Sequence, residues 1–392
     1  MTNSTPICPA CSGGDATIFY EVRDVPVHSC VLVRSRQDAL DFPRGNLRLA
    51  SCKGFGFIWN VDFDPTLLDY RQDYEETQGF SPTFNAFARQ LAHDLVDRHD
   101  LRGKDVLEIG CGKGEFLALL AELGGNRGLG IDPSFAASRR PGTDASLTFI
   151  EDYYSEAYTH LTGDLIACRH TLEHVPNVAD FVELTRTSAE RRPGSIVFFE
   201  VPDTLRVLRE AAFWDIYHEH CSYFTPGSLA RLFRRSAFTV TDVALAYGDQ
   251  YILLEATLDS APAEVLPSED GVGEMEALVD CARRALPANV DAWRTRLQRW
   301  TSEGKATVLW GAGSKAVAFL TTTGAGEHVA AAIDINPHKH DTFLPVTAHA
   351  VLSPERLCTL QPEVVIVMNR VYEGEVRARL AEMGLHPEVV AL

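Results

Sequence analysis

The sequence predicts an α/β fold, because a buried strand runs into a glycine turn and then a helix at two separate places. The first of these strands starts at Asp105 and the second at Thr307. A C-x-x-C sequence, Cys8-Pro-Ala-Cys11, stands well ahead of both. The expected domains are residues 1–64, a small cysteine-bearing module, and residues 65–260 and 272–392, two Rossmann-like α/β units.

The composition limits the classes of function. At 392 residues the chain is longer than one ordinary core requires. The net charge of −18 opposes binding to nucleic acid or to an anionic membrane, since both need a basic face. No apolar run approaches the roughly 20 residues that span a bilayer, and the polar start is unlike a signal peptide. Nine scattered cysteines indicate reduced thiols, so we expect a cytoplasmic protein.

The amino-terminal module carries an incomplete set of metal ligands. The pair Cys8 and Cys11 forms a knuckle of the kind that grips zinc, and Cys52 begins a second one. Phe55 stands where a zinc ribbon would have its fourth cysteine. We expect a structural zinc ion, with buried thiols that hold no metal as the alternative. The candidate ligands are Cys8, Cys11, Cys52 and Cys30, with His28 as a substitute.

A polar, turn-rich segment with aromatic residues precedes the first Rossmann-like unit. It runs from Tyr70 to Pro82, and the helix Phe84–Arg98 follows with apolar residues at helical spacing. Such a segment before the first strand forms either a lid over a ligand or a connector on the surface. Tyr74 is the residue in it that we single out for a role in catalysis.

The strand Asp105–Ile109 leads into a turn with glycine at 110, 112 and 114, and the helix Phe116–Leu123 follows. Glycine lets a ligand approach the backbone, and the helix offers unpaired N–H groups at its start. The pattern is G-x-G-x-G, whereas dinucleotide folds have G-x-G-x-x-G. Glu108, just before the turn, would favour a cationic group on the ligand.

The next three predicted strands also end in polar residues. Strand Gly128–Ile131 ends at Asp132, which we expect to accept hydrogen bonds from ribose hydroxyls. Strand Leu147–Ile150 is followed by Asp152, placed to accept an adenine amino group. Strand Asp164–Cys168 leads into the polar loop 169–176. These ends should meet at one edge of a parallel sheet, where such sheets bind ligands.

The glycine turn with its preceding glutamate and the two following acids resembles class I S-adenosylmethionine (SAM) methyltransferases. The resemblance implies a class I Rossmann-like fold for the central domain and SAM as the cofactor. SAM has no pyrophosphate, so its turn must accommodate an amino-acid group, whereas a hydride-transfer enzyme more often has its third glycine one residue later. The expected cofactor-binding residues are Glu108, Gly110, Gly112, Gly114, Asp132, Asp152 and Arg169.

A second concentration of reactive side chains follows the strand Ser195–Pro202. Two tyrosines, two histidines and a glutamate lie within residues 217–223, between aromatic residues that can exclude water. Such surroundings shift the pKa values of histidine and carboxyl groups into a useful range. A metal held by His218 and His220, or histidines that cap the helix Pro226–Ser236, are the alternatives.

The run Asp215-Ile-Tyr-His-Glu-His-Cys-Ser-Tyr-Phe, followed by Thr-Pro-Gly-Ser, resembles the sugar C-methyltransferase family. That resemblance spans nearly the whole chain. It implies an amino-terminal zinc module of zinc-ribbon type, a SAM domain and a carboxyl-terminal Rossmann-like domain. It also implies methylation of a carbon next to a ketone on a nucleotide-linked deoxysugar, with Tyr217, Glu219 and His220 around the sugar. Tyr74 matches the family's lid tyrosine more loosely.

The last domain follows a Pro- and acid-rich linker and a long amphipathic helix. A lone G-x-G with an acid after the second strand occurs in many folds that bind nothing, so we expect no second cofactor. By the resemblance, the domain helps to hold the sugar nucleotide. Lys315 and Arg370 are the residues expected to meet its phosphates. The predicted elements are the linker Asp259–Val272, the helix Met275–Trp300, and strands starting at Thr307, Val329 and Glu363.

The main hypothesis is methylation of a carbon α to a carbonyl. His220 would remove the α-proton, with Glu219 orienting it or sharing the proton, and Tyr217 or Tyr223 would hydrogen-bond the enolate. One alternative is O-methylation of a small metabolite, in which the same histidine deprotonates a hydroxyl. Another is a non-catalytic scaffold that keeps SAM as a structural ligand.

Overall fold

The computed structural model describes residues 6–70, 73–139, 146–259 and 264–392. Its helices are α1 (Arg36–Leu40), α2 (Pro82–Arg98), α3 (Glu115–Gly124), α4 (Val178–Glu190), α5 (Thr204–Glu210), α6 (Pro226–Arg235), α7 (Val272–Ser302), α8 (Ser314–Thr323), α9 (Leu357–Leu360) and α10 (Glu373–Glu382). Its strands are β1 (Ala16–Pro26), β2 (Arg44–Cys52), β3 (Ile58–Asn60), β4 (Asp105–Ile109), β5 (Arg127–Ile131), β6 (Leu147–Ile150), β7 (Leu165–Arg169), β8 (Ile196–Pro202), β9 (Ser222–Tyr223), β10 (Thr239–Ala246), β11 (Tyr251–Thr257), β12 (Thr307–Trp310), β13 (Ala331–Ile333), β14 (Val351–Leu352), β15 (Val364–Val367) and β16 (Glu388–Ala391).

The central sheet has seven strands in the order β10-β11-β8-β7-β4-β5-β6. Strands β6, β5, β4, β7 and β8 are parallel, and β11 pairs antiparallel with both β8 and β10. The parallel strands are continuous apolar runs because helices cover both faces of the sheet. Their carboxyl ends meet at one edge, as predicted. The start of the antiparallel strand β11 brings Gln250 and Tyr251 to that same edge.

The amino-terminal sheet is antiparallel and includes a piece of the central part of the chain. Its order is β1-β2-β3-β9, and β9 consists of only Ser222 and Tyr223. Ile58 pairs with Tyr223 and Trp59 pairs with Ser222. The run 217–223, which the sequence singles out, is therefore fixed at one end by the amino-terminal sheet.

The carboxyl-terminal sheet has five parallel strands in the order β14-β13-β12-β15-β16. The 31-residue helix α7 lies against it and buries Met275, Leu286 and Trp300 among other apolar side chains. The same hydrophobic cluster includes residues of β1, α5 and α8. One core therefore joins the amino-terminal and carboxyl-terminal sheets, and a second core joins β2 and β3 to strands β4, β5, β7 and β8 of the central sheet.

Among the helices that the structure describes, none is both long and apolar enough to cross a membrane.

Candidate active site

A cavity of about 1200 Å³ lies between the carboxyl edges of the central and carboxyl-terminal sheets. The first glycine turn lines it with Gly110–Lys113, and the second turn lines it with Gly311 and Gly313–Lys315. Small-molecule sites usually measure about 300–1,000 Å³. This cavity has room for two ligands, a cofactor and an acceptor, between two Rossmann-like turns that face each other.

The three glycines of the first turn have different roles. A Cβ on Gly110 would lie 1.8 Å from Thr171 Oγ1, and one on Gly112 would lie 2.8 Å from Glu76 Oε1. Both residues have positive φ values and line the cavity. Gly114 starts α3 away from the cavity wall, and its Cβ would lie 2.5 Å from the ring of Phe149. The first two positions thus form a cradle for a ligand, and the third allows close packing of helix and strand.

Glu108 and Arg169 lie on the cavity wall behind this turn. Burial raises the pKa of Glu108 to about 8, although Arg169 opposes that shift. Oε2 of this glutamate has no hydrogen-bond partner among the described residues. Arg169 donates from Nε to Glu200 Oε2 at 2.6 Å and stacks on Phe116 at 4.0 Å. Its buried Nη2 is also without a partner in the described ranges, so both side chains can gain one from a ligand.

The two predicted acids of the cofactor site differ in position. Asp132 lines the cavity, and its Oδ2 accepts from Gly112 N at 2.8 Å. Asp152 does not line it, because its carboxylate accepts from Tyr158 OH at 2.8 Å and from Tyr153 N at 2.8 Å. Tyr153 takes its place on the wall. Of these two acids, the structure therefore brings only Asp132 to the cavity wall.

The segment 73–81 covers the first glycine turn and is held by both Rossmann-like units. Lys113 Nζ donates to the backbone oxygen of Tyr74 at 3.0 Å. Asn336 Nδ2, from the carboxyl-terminal part, donates to Glu75 Oε1 at 2.8 Å. This arrangement favours the lid over the surface connector. Two further residues of the predicted lid, Arg71 and Gln72, lie outside the described ranges.

His220 lies on the cavity wall as a neutral imidazole. Its side chain is 7% exposed, and burial together with the neighbouring histidines lowers its pKa well below the usual value. The ring centroid is 4.3 Å from that of Tyr217, 4.7 Å from that of His174 and 6.4 Å from that of Tyr223. A buried neutral imidazole beside a ligand cavity can accept a proton.

His218 points away from the cavity. Its ring contacts Phe63 at 5.5 Å and fills the space against Gly45 in the amino-terminal sheet. His218 and His220 therefore do not share a face, and the metal pair considered for them is wrong. Helix α6 is capped by Thr225, so the alternative that the histidines cap it is also wrong.

Glu219 is buried behind the wall and ties several segments together. Its carboxylate is 3.2 Å from His28 Nδ1 and accepts from Tyr74 OH at 3.2 Å and from Ser314 Oγ at 3.4 Å. None of the described hydrogen bonds joins it to His220. The prediction that Glu219 orients His220 is therefore wrong, and His28 is engaged here and not at the cysteine cluster.

The hydroxyl groups of the three predicted tyrosines differ in whether they already donate a hydrogen bond within the protein. The hydroxyl of Tyr223 donates to the backbone oxygen of Tyr217 at 3.0 Å, and that of Tyr74 donates to Glu219. In the described part of the chain, the Tyr217 hydroxyl has no such partner. Burial raises the pKa of Tyr217 well above its usual value. A protonated, uncommitted hydroxyl on the cavity wall is suited to donate to a ligand oxygen.

The loop after β7 contributes residues whose roles the sequence did not reveal. His170 has a φ of 49° and contacts Glu200 Oε1 through Nε2 at 3.0 Å. Although burial alone would lower it, Glu200 and Glu173 raise the pKa of His170 to about 9. One ligand atom each of Glu173, His174 and His220 lies within 4.8 Å of the others. The sequence did contain a signal for these residues, because Glu173 and His174 stand next to each other shortly after the end of the parallel strand β7.

The cysteines divide between two places. The sulfur atoms of Cys8, Cys11 and Cys52 lie within 4.8 Å of one another. Cys30 is not part of this group, since its Sγ is 3.3 Å from Ser314 Oγ on the cavity wall. Three of the four predicted zinc ligands thus come together. Their geometry fits one side of a tetrahedral thiolate site.

The predicted phosphate ligands also divide. Lys315 lines the cavity, with Nζ 2.9 Å from Asp215 Oδ1 and 3.0 Å from Gln250 Oε1. Lys339 lines the same side. Arg370 is exposed and is not part of the cavity wall, so the structure does not bring it to the site.

Comparisons with known proteins match two parts of the chain. A family model described as a methyltransferase domain matches residues 84–243, and one described as a C-methyltransferase C-terminal domain matches residues 269–386. The chain is 28% identical to C-methyltransferase NovU of Streptomyces niveus over 304 residues, which are 74% of this chain and 72% of that protein.

Two other similar proteins each match less than half of the chain. The ubiquinone biosynthesis O-methyltransferase of Neisseria meningitidis serogroup C (strain 053442) is 29% identical over 172 residues, 39% of this chain and 71% of that protein. The solved 1,6-didemethyltoxoflavin-N1-methyltransferase of Burkholderia thailandensis has 22% identity and a TM-score of 0.34, and covers 45% of this chain and 80% of its own.

Proposed function

We propose that this chain, a SAM-dependent methyltransferase of the C-methyltransferase type, methylates a carbon next to a carbonyl, on a nucleotide-linked deoxysugar. The observation that carries the proposal is His220, a neutral, buried imidazole on the wall of the cavity that the SAM turn also lines. Carbon acids next to a carbonyl need a base, and a neutral histidine is one.

The cofactor residues fit SAM. At Gly110 and Gly112 the amino-acid part of SAM can come close to the backbone. Asp132 offers a carboxylate to the ribose hydroxyls. Glu108 and Arg169 each hold a buried polar atom that a cationic amino group and a carboxylate can satisfy. When bound, SAM supplies an electrophilic methyl group.

The proton chemistry belongs to the chain's own side chains. His220 accepts the α-proton of the acceptor at a ring nitrogen, which leaves an enolate. The hydroxyl of Tyr217 donates to the enolate oxygen, because that hydroxyl is protonated and uncommitted among the described residues. The aromatic wall around them excludes water and strengthens both interactions.

The acceptor side supports a phosphorylated substrate. Lys315 and Lys339, on the carboxyl-terminal wall, would bring two ammonium groups to a diphosphate. The cavity reaches from them to His220, and its volume leaves room for a sugar beside SAM. The relative named NovU is a C-methyltransferase, and residues 269–386 match a family model described as a C-methyltransferase C-terminal domain.

The test is solvent exchange at the α-carbon. His220→Asn should abolish deuterium incorporation into a nucleotide-linked ketodeoxysugar while calorimetry shows SAM affinity within about twofold of wild type, because residue 220 is not part of the cradle. If exchange persists in the variant, His220 is not the base. O-methylation, which the match to an O-methyltransferase keeps open, would give no α-exchange at all.

We also propose a structural zinc ion in the module 1–64, held by Cys8, Cys11 and Cys52. Thiolates are preferred zinc ligands, and Phe55, which stands where a zinc ribbon has its fourth cysteine, packs against the core. The domain divisions 1–64, 65–260 and 272–392 remain our proposal.

A further inference from the structure

A carboxylate that the proposed reaction does not yet use lies on the cavity wall. Glu173 is 2% exposed and lines the cavity from the loop after β7. One of its oxygens is 3.4 Å from His170 Nδ1. The other, Oε2, is buried and has no hydrogen-bond partner in the part of the chain that the structure describes. An unpartnered buried carboxylate oxygen is costly, so its retention indicates a partner that forms during function.

That partner is within reach. A carboxylate oxygen of Glu173, a ring nitrogen of His174 and a ring nitrogen of His220 lie within 4.8 Å of one another. The side chain of His220 makes no hydrogen bond to any described residue. A separation of this size is bridged by one water molecule or by a small side-chain rotation.

The other neighbours of His220 cannot serve as its acidic partner. The carboxylate of Glu219 faces away from the cavity, toward His28, Tyr74 and Ser314. The Nδ1 atom of His174 is 3.0 Å from the backbone oxygen of residue 219 and 2.9 Å from the Tyr70 hydroxyl, and an imidazole brings no negative charge in either tautomer. Among the described residues, Glu173 is therefore the carboxyl group that clusters with the His220 ring on the cavity wall.

The charges around this pair are consistent with such a role. The titratable groups that face Glu173 and His220 are His170, His174, Tyr70, Tyr217, Tyr223, Cys168 and Cys221. The pKa of His170 is raised to about 9, and its ring lies between Glu200 and Glu173. Its positive charge lies next to the Glu173 carboxyl group, while burial and the neighbouring histidines lower the pKa of His220. Without an anion nearby, His220 would be a poor base.

We propose that Glu173 is a positioning residue that orients His220 and stabilises the imidazolium formed when His220 takes the acceptor's proton. In that step the α-carbon–hydrogen bond breaks, its electron pair becomes the enolate, and the proton forms a bond to the His220 ring nitrogen. The imidazolium N–H is then held by Glu173 Oε2, directly or through water. This inference rests on the proposed function.

The test combines rates with pH profiles. Glu173→Gln should lower kcat and the α-exchange rate roughly 10- to 100-fold with KM unchanged. Removing the negative charge lowers the pKa of His220, so the acid limb of kcat/KM should move to lower pH. Glu173→Asp should restore part of the rate. Glu276→Gln, an exposed change on α7, should match wild type throughout.

The contrary results are distinct. If His220→Asn loses exchange but Glu173→Gln keeps the wild-type rate and acid limb, the proposal for Glu173 fails and the proposed function stands. If Glu173→Gln only lowers the melting temperature and the active fraction, with the acid limb unmoved, its role is structural and the proposal also fails. A wild type that binds one more equivalent of Co²⁺ than Glu173→Gln would also overturn it, because Glu173, His174 and His220 would then hold a metal ion. If His220→Asn keeps its exchange, both proposals fail.

Discussion

At the scale of single residues, burial in the cavity wall changes the pKa of Glu108. This change makes the free energy of unfolding depend on pH. Burial raises its pKa from 4.5 to about 8. At neutral pH the folded, ligand-free protein therefore holds a proton there that the unfolded chain has lost. The free energy of unfolding must fall as the pH rises from about 4.5 to about 8, because the folded state binds more protons in that window.

Glu108→Gln should remove this pH dependence, since an amide has the same shape and no charge. At pH 8 the variant should be about 1–3 kcal/mol more stable than wild type, and the difference should vanish toward pH 4.5. Urea unfolding of the ligand-free wild type and variant between pH 4.5 and pH 8 measures this difference in stability. A wild type whose stability does not decline relative to the variant would show that Glu108 is ionised when buried.

The sequence predicted only some of the residues that line the cavity. Residue types placed His220 and Tyr217 at the site, because reactive side chains framed by aromatic residues stand out. They also nominated Glu219, whose carboxylate turns out to face the amino-terminal sheet. Neighbours along a chain point in different directions, and contacts with distant residues, such as those of Glu219 with His28 and Tyr74, decide which one faces the cavity. Glu173 was missed because it meets His220 only in the folded chain.

At the scale of elements, the glycine turn is the feature most strictly required by packing. Gly110 combines a φ of 71° with a Cβ position 1.8 Å from Thr171 Oγ1. Gly103 has a φ of 65° and nothing within 4 Å of its Cβ position. The two positions have similar positive φ values and differ in the space around the Cβ position.

Gly110→Ala should therefore cost more than Gly103→Ala. We expect about 1 kcal/mol at position 103 from backbone strain, and about 3 kcal/mol or more at position 110. SAM binding should be lost in the second variant alone. Thermal unfolding and calorimetric titration measure both effects. Equal losses in the two variants would mean that the turn does not need its close contact with Thr171.

The strands that are buried on both faces of the sheet were the elements that the sequence predicted well. Strands β4 to β8 were predicted to within a residue or two at each end, since continuous apolar runs end at turns and acids. The antiparallel strands β1 and β2 and the hairpin β10–β11 were not recognised, because their alternating faces give a weaker pattern. The two-residue strand β9 has no local signal at all and exists through its pairing with Ile58 and Trp59.

For the whole molecule, the shared core couples the amino-terminal module to the active site. The cysteine cluster lies at the end of β2, whose neighbour β3 pairs with Ser222 and Tyr223. The lid meets both Rossmann-like units above that point. A change at the cysteines should therefore be felt at Tyr223, on the cavity wall.

The proposed zinc ion tests this coupling. Cys52→Ser should lose bound zinc, lower the melting temperature by several degrees and slow turnover, with SAM affinity little changed. Cys281→Ser, at an exposed thiol on α7, should behave as wild type. Metal analysis by mass spectrometry, calorimetry and initial rates measure these effects. Wild-type protein that purifies without zinc and melts unchanged in chelator would contradict the site.

The central claim is that the methyl group ends on carbon. The most direct measurement is carbon–proton correlation NMR of the product formed from ¹³C-methyl SAM and a nucleotide-linked ketodeoxysugar. The account predicts a labelled methyl coupled to the carbon next to the carbonyl. A labelled methyl on oxygen would contradict it.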